Sequence, residues 1–166
     1  MRGRLIRWLL PATLLAVLGV GAAMAATTMG HSGSGTVQTA KSSKYGTVLV
    51  NAHGRTLYRF AVDKKGASAC TGGCAKIWPA LVVKGNVKPT AGAGVKASML
   101  GTIKRSAGVR QVTYGGFALY TYSADSKSGD VKGEGFDSYG GKWYVVDTKG
   151  AMVKKAVSGG GKTGWG

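Results

Sequence analysis

Carboxylates are scarce in this sequence: six Asp and Glu stand against 23 Lys and Arg in 166 residues, for a formal net charge of +17. Histidine and cysteine number two each, and proline three. With His31 read as a solvated linker residue, three nitrogen and sulfur ligands remain, short of the four that a structural zinc site wants. No carboxylate has a histidine close by in sequence, and one phenol with one carboxylate makes no general acid–base set. No run of five like charges occurs, and outside the first 25 residues no amphipathic stretch is long enough for a useful helix. No stretch specifies a reaction, and the sequence alone reads as a non-enzyme.

What is present begins with an export signal. Arg2, Arg4 and Arg7 precede an apolar run from Trp8 to Val20, and Ala23-Met24-Ala25 forms a small-x-small cleavage site. Residues 1–25 are expected to be removed; an uncleaved anchor is the alternative, since Trp8 to Ala26 approaches the length that spans a bilayer. Without the three leader arginines, +17 becomes +14, so the mature part is basic by itself. No cysteine lies near the cleavage site, which excludes lipidation there. Residues 26–43, rich in Ala, Thr, Gly and Ser, read as a flexible tether carrying a solvated His31.

The next 100 residues contain a duplication. Leu57-Tyr58-Arg59-Phe60-Ala61-Val62-Asp63 and Leu119-Tyr120-Thr121-Tyr122-Ser123-Ala124-Asp125 share one pattern, offset by 62 residues (120 − 58). Each copy follows a glycine, Gly54 or Gly116, and precedes a tryptophan, Trp78 or Trp143, that opens an apolar run. Short β-branched and aromatic segments joined by glycine turns predict an all-β domain over 44–157. About eight short strands are expected, in a pseudo-duplicated antiparallel meander with repeats near 45–84 and 100–148. Small-barrel, sandwich and propeller-like closure stay open. Leu100-Gly101-Thr102-Ile103 is read as the echo of Tyr45-Gly46-Thr47-Val48, and residues 84–97 as a surface loop. In the first motif, alternation puts Tyr58, Phe60 and Val62 on one face, expected to be buried, and Leu57, Arg59 and Ala61 on the other. Asp63 is expected to start a turn through its own side chain.

Cys70 and Cys74 are the only cysteines. In an exported chain an isolated pair reads as a disulfide, pinning a Gly72-Gly73 loop against Trp78. Two alternatives compete. A redox pair would normally have two intervening residues, not three. A Cu(I) site would need a third ligand such as His53, which reads better as a turn residue. Asp125, Asp130, Glu134 and Asp137 cluster in the second copy and are weak calcium candidates; they depart from the EF-hand pattern and read instead as a loop braced by Asx turns. The Gly-rich tail, 158–166, contains Gly161-Lys162-Thr163, which looks like the end of a phosphate loop but lacks its leading glycine, Ala156 standing there.

Taken together, Tyr58, Phe60 and Asp63 with Tyr120, Tyr122 and Asp125 resemble a bacterial secreted or lipoprotein repeat of unknown function, marked by Tyr-x-[Phe/Trp/Tyr]-x-x-Asp. Gly54-Arg55-Thr56-Leu57-Tyr58, Cys70 to Cys74 with Trp78-Pro79, Gln111-Val112-Thr113-Tyr114 and Gly140-Gly141-Lys142-Trp143-Tyr144 carry the same resemblance. It implies an envelope or extracellular protein and supplies no established activity. The motif residues and the two tryptophans are expected to be structural. No cofactor, nucleic acid or small-molecule substrate is expected. Scattered lysines fit a solvated surface, but on an exported chain their field attracts anionic wall polymer or lipid. An exported module that packs against such polymer is the leading expectation, with copper or redox handling and calcium stabilisation behind it.

Overall fold

Short runs of β-branched and aromatic residues, cut by glycines at positive φ, give ten strands here. A computed structural model describes residues 35–106 and 108–156. The leader, the first half of the tether (26–34) and the 158–166 tail lie outside those residues. In order, the strands are β1 (Thr36–Ser42), β2 (Gly46–Asn51), β3 (Tyr58–Phe60), β4 (Val82–Lys84), β5 (Thr90–Ala91), β6 (Leu100–Ser106), β7 (Val109–Tyr114), β8 (Phe117–Ala118), β9 (Asp137–Ser138) and β10 (Gly141–Val145). One short helix, α1 (Gly73–Ile77), begins inside the cysteine loop, and a 3₁₀ turn spans Ala97–Met99. Three small sheets form, β2-β1-β5, β3-β10-β9 and β4-β7-β6 with β8 on β7, and none closes into a barrel. The all-β expectation holds, with more strands than expected; one pairing, β1 with β5, is parallel, so the meander is not wholly antiparallel.

The largest correction lies at the start. Thr36–Ser42 is a strand, hydrogen-bonded along its length to β2 from Val37–Asn51 to Ser42–Gly46, and not part of a tether. Val37 is fully buried. Consequently the β1–β2 hairpin, not β2 alone, is the counterpart of the β6–β7 hairpin. Leu100 to Ile103 corresponds by the 62-residue offset to Gln38 to Lys41, and its likeness to Tyr45 to Val48 is coincidental. Residues 84–97 likewise contain β5 and are not wholly loop.

The two copies exchange strands. β4 of the first copy pairs with β7 of the second, Val82 opposite Gln111. In return, the end of the second copy reaches β2 of the first: Leu49 N donates to Val146 O at 2.8 Å, and Val48 bridges Asp147. β3 pairs with β10, and Tyr120 bridges Ala80 in the equivalent place. Tyr58 and Tyr120 face each other across the pseudo-dyad through two backbone hydrogen bonds, Tyr58 N to Tyr120 O at 2.8 Å and Tyr120 N to Tyr58 O at 3.1 Å.

This interleaving makes two cores on either side of β3. One gathers Tyr58, Phe60, Trp78, Tyr120, Trp143, Cys70 and Cys74; the other gathers Leu57, Val83, Val112, Tyr114, Leu119 and Val146. Both faces of β3 are therefore buried, where alternation alone suggested one. Arg59 is buried with them: its guanidinium carbon lies 3.5 Å from the Phe117 ring centre and Nη1 donates to Gly150 O at 2.6 Å. Val62, placed on the buried face by alternation, is 44% exposed because the strand ends at Phe60.

Candidate functional site

The shared motif converges on the dyad, and each copy is completed by the other. Tyr58 Oη donates to Asp125 Oδ2 at 2.6 Å, and Tyr120 Oη donates to Asp63 Oδ2 at 2.6 Å. Each carboxylate uses its second oxygen locally: Asp125 Oδ1 accepts from Lys132 N at 3.0 Å, and Asp63 Oδ1 from Ala69 N at 2.7 Å. Asp63 thus braces a loop six residues long and reaches across to the other copy, a larger role than the local turn expected of it. Arg55 Nη1 donates to the Asp125 carbonyl.

The aromatics repeat this exchange. Phe60 stacks on Trp143 of the other copy at 4.1 Å and 7°, and Tyr122 stacks on Trp78 of the other copy at 4.3 Å and 22°. Trp78 and Trp143 stack on each other at 3.9 Å and 2°, closing a continuous pile of four rings. Tyr58 meets Trp78 edge-on at 5.5 Å, and Tyr120 meets Trp143 edge-on at 5.1 Å. Gly133 is needed for close approach here: a Cβ on it would stand 2.7 Å from the Trp78 ring, while its N–H donates to Tyr58 Oη at 3.3 Å.

Chemically this centre is closed. Tyr58, Tyr120 and Asp125 have no exposed surface. Burial, followed by the hydrogen-bonded carboxylate, raises the pKa of both phenols, so they remain protonated donors. Burial also raises Asp63, against the lowering pull of the Tyr120 and Ala69 hydrogen bonds.

Cys70 and Cys74 form a disulfide. Trp78 N donates to Cys74 O at 2.8 Å, so the ring sits against the tryptophan as expected, with α1 as the added element. Arg105, which sequence reasoning missed, holds this loop from β6: Nη2 donates to Cys70 O at 2.6 Å and Nη1 to Ser68 Oγ. Ser68 Oγ shares a 2.6 Å hydrogen bond with Tyr120 Oη, linking the loop to the dyad. No pattern in β6 marks Arg105; only its position on the strand that the first copy's loop packs against does so. His53 occupies a hairpin turn in which Asn51 Oδ1 accepts from His53 N at 2.9 Å and Arg55 N at 3.0 Å.

The four acids of the second loop take separate partners. Asp125 is in the dyad. Asp130 Oδ2 accepts from Ser126 N at 2.9 Å and pairs with Lys132 Nζ at 3.3 Å. Glu134 Oε2 accepts from Val145 N at 2.6 Å, and Asp137 lies exposed on β9. Among the described residues, no three His, Cys, Asp or Glu gather where a metal ion could be held.

Glu134 provides a pH signature. Burial raises its pKa, opposed by the Val145 N–H and by Lys44. A carboxyl raised on folding takes up its proton more readily in the folded state, so its stabilisation is present below the usual carboxylate value and is lost as pH rises through the folded value. Glu134→Gln keeps an oxygen for Val145 N and does not titrate. The melting temperature of E134Q is therefore expected to gain on that of the parent as pH rises through and above the usual carboxylate range. A relative loss over that range, followed by circular dichroism, would contradict the assignment.

Two segments of the chain, 39–82 and 101–147, match the family described as a secreted repeat of unknown function. The matches begin 62 residues apart (101 − 39), the offset of the motif, and each begins inside the first strand of its hairpin. No curated protein and no solved structure matches the chain.

Proposed function

We propose a role for this chain, which belongs to the secreted repeat family of unknown function, as an exported, non-enzymatic module that holds to anionic polymer at the cell surface through its basic exterior. The family's description as secreted supports an extracellular location. Among the described residues, no helix is long and apolar enough to cross a membrane. Both cysteines are used in the disulfide, so attachment through charge takes the place of a lipidated cysteine in this reading.

One observation carries the proposal: the few carboxylates are spent on the fold. Asp63, Asp125, Asp130, Glu134 and Asp147 each accept hydrogen bonds from the chain's own backbone N–H groups. Among the described residues a single ion pair, Lys132 with Asp130, joins side chains of opposite charge. Most lysines therefore face solvent without a neighbouring carboxylate, and their fields add. The Tyr–Asp pairs of the motif are buried and hydrogen-bonded to each other, which supports a structural rather than a catalytic role for them.

Charge-driven binding weakens as the screening length shortens, from about 14 Å at 50 mM salt to about 4 Å at 500 mM. The exported protein is expected to be retained on purified cell wall at the lower salt and released at the higher. Equal retention at both would contradict the proposal.

A further inference from the structure

The sheet β4-β7-β6 ends at the β6–β7 turn, and three adjoining concavities wrap that end. The first lies between the loop after β4 and the β6–β7 face, with Lys88 and Arg110 in its wall. The second shares Asn86 and Arg110 with it and adds Lys104 and Arg105 at the tip of the hairpin. The third shares Lys104, Arg105 and Ser106 with the second and continues to Ser68 and Thr71 of the cysteine loop. They form one trough that passes from one face of the sheet over its end to the other. Four cations line it, and no carboxylate and no aromatic ring does.

Two of the cations are held in place. Arg110 Nε donates to Thr102 Oγ1 at 2.7 Å, which leaves both terminal nitrogens for a ligand. Arg105 is fixed by Ser68 Oγ and Cys70 O, at the start of the loop the disulfide closes, and both its terminal nitrogens are engaged there. Lys104 stands opposite Arg110 across the β6–β7 ladder, two like charges side by side that cost stability until an anion lies between them. The Arg110 fork suits phosphate oxygens, and Arg105 and the two lysines add positive charge along the trough.

We infer that this trough binds a single extended phosphate-bearing polymer chain, of the phosphodiester kind that lacks bases. This rests on the surface-charge reading above and places it at one site. A trough fits a chain, where a bilayer would need a flat or convex face. Single-stranded nucleic acid is bound on stacked aromatic rings, and the lining offers none.

The test uses long-chain inorganic polyphosphate as probe, with Lys88→Gln/Lys104→Gln in the trough against Lys142→Gln/Lys149→Gln on β10 and the turn after it, away from the trough lining. The two double variants have equal net charge, and all four lysines are exposed. Losing two phosphate contacts is expected to weaken binding about tenfold near 0.15 M salt, taking the single-strand counterion slope of about 0.7 per contact. K142Q/K149Q should stay within about twofold of the parent on the same reasoning. Equal losses in both variants would overturn the trough and leave the general basic surface standing. Binding of the parent without salt dependence would overturn both. An oligodeoxynucleotide bound more tightly than polyphosphate of equal charge would overturn the base-free assignment.

Discussion

Replacing Trp143 by alanine is expected to cost about 3–5 kcal/mol, the range for removing a fully buried large aromatic side chain. Trp143 has no exposed surface and lies inside the ring pile, with Phe60 on one face at 4.1 Å and Trp78 on the other at 3.9 Å. Alanine there removes the partner of both, and backbone pairing of β10 with β3 and β9 leaves the chain little freedom to collapse into the gap. A domain of this size has roughly 5–15 kcal/mol to lose, so W143A should unfold at a far lower denaturant concentration, if it folds at all. Trp143→Phe is the informative companion. Its ring still stacks, and it deletes an indole N–H that has no hydrogen-bond partner. Removing that unsatisfied donor offsets part of the lost contact, so a loss of about 1–2 kcal/mol is expected. Denaturant titration of both variants checks this; a W143A protein within about 1 kcal/mol of the parent would mean that the pile carries little of the stability.

The second large effect belongs to the Tyr–Asp exchange. Asp125→Ala takes the acceptor away from two donors at once, the fully buried Tyr58 Oη and the partly buried Lys132 N. Each donor left unsatisfied costs about 1–3 kcal/mol, so about 2–4 kcal/mol is expected for the pair. Asp137→Ala, on the exposed strand β9, is the control and is expected to change stability by less than about 0.5 kcal/mol.

What the residues announced and what they concealed follow from range. The repeated Leu-Tyr-x-aromatic-x-x-Asp pattern, the glycine turns and the isolated cysteine pair act over a few positions, so the all-β class and the disulfide could be read directly. The Asn51–Gly54 turn came out as read, with Gly54 at φ 72°. β1 was hidden by composition: Thr36-Val37-Gln38-Thr39-Ala40 continues the Thr, Ser and Gly of the preceding stretch. Only the 62-residue offset applied to β6 betrays it. The two-sided burial of β3 was hidden because alternation assumes one wet face, and here the second copy supplies a core on each side. Nor could the motif say which aspartate each tyrosine takes. Parity within a strand fixes a face, whereas the partner is fixed by a dyad that exists only after both copies have paired. The four acids of the second loop part for a similar reason: nearness in sequence put them together, whereas Asp125, Asp130 and Glu134 each turn to a different backbone N–H and Asp137 faces solvent.

A double-mutant cycle measures the exchange between copies most directly. Tyr58→Phe and Asp125→Asn, alone and together, should show a coupling of about 1–3 kcal/mol in unfolding free energy, as should Tyr120→Phe with Asp63→Asn. Tyr58→Phe with Asp63→Asn, which belong to one copy of the motif and share no hydrogen bond, should be additive within about 0.5 kcal/mol. Strong coupling within a copy and none between copies would contradict the account.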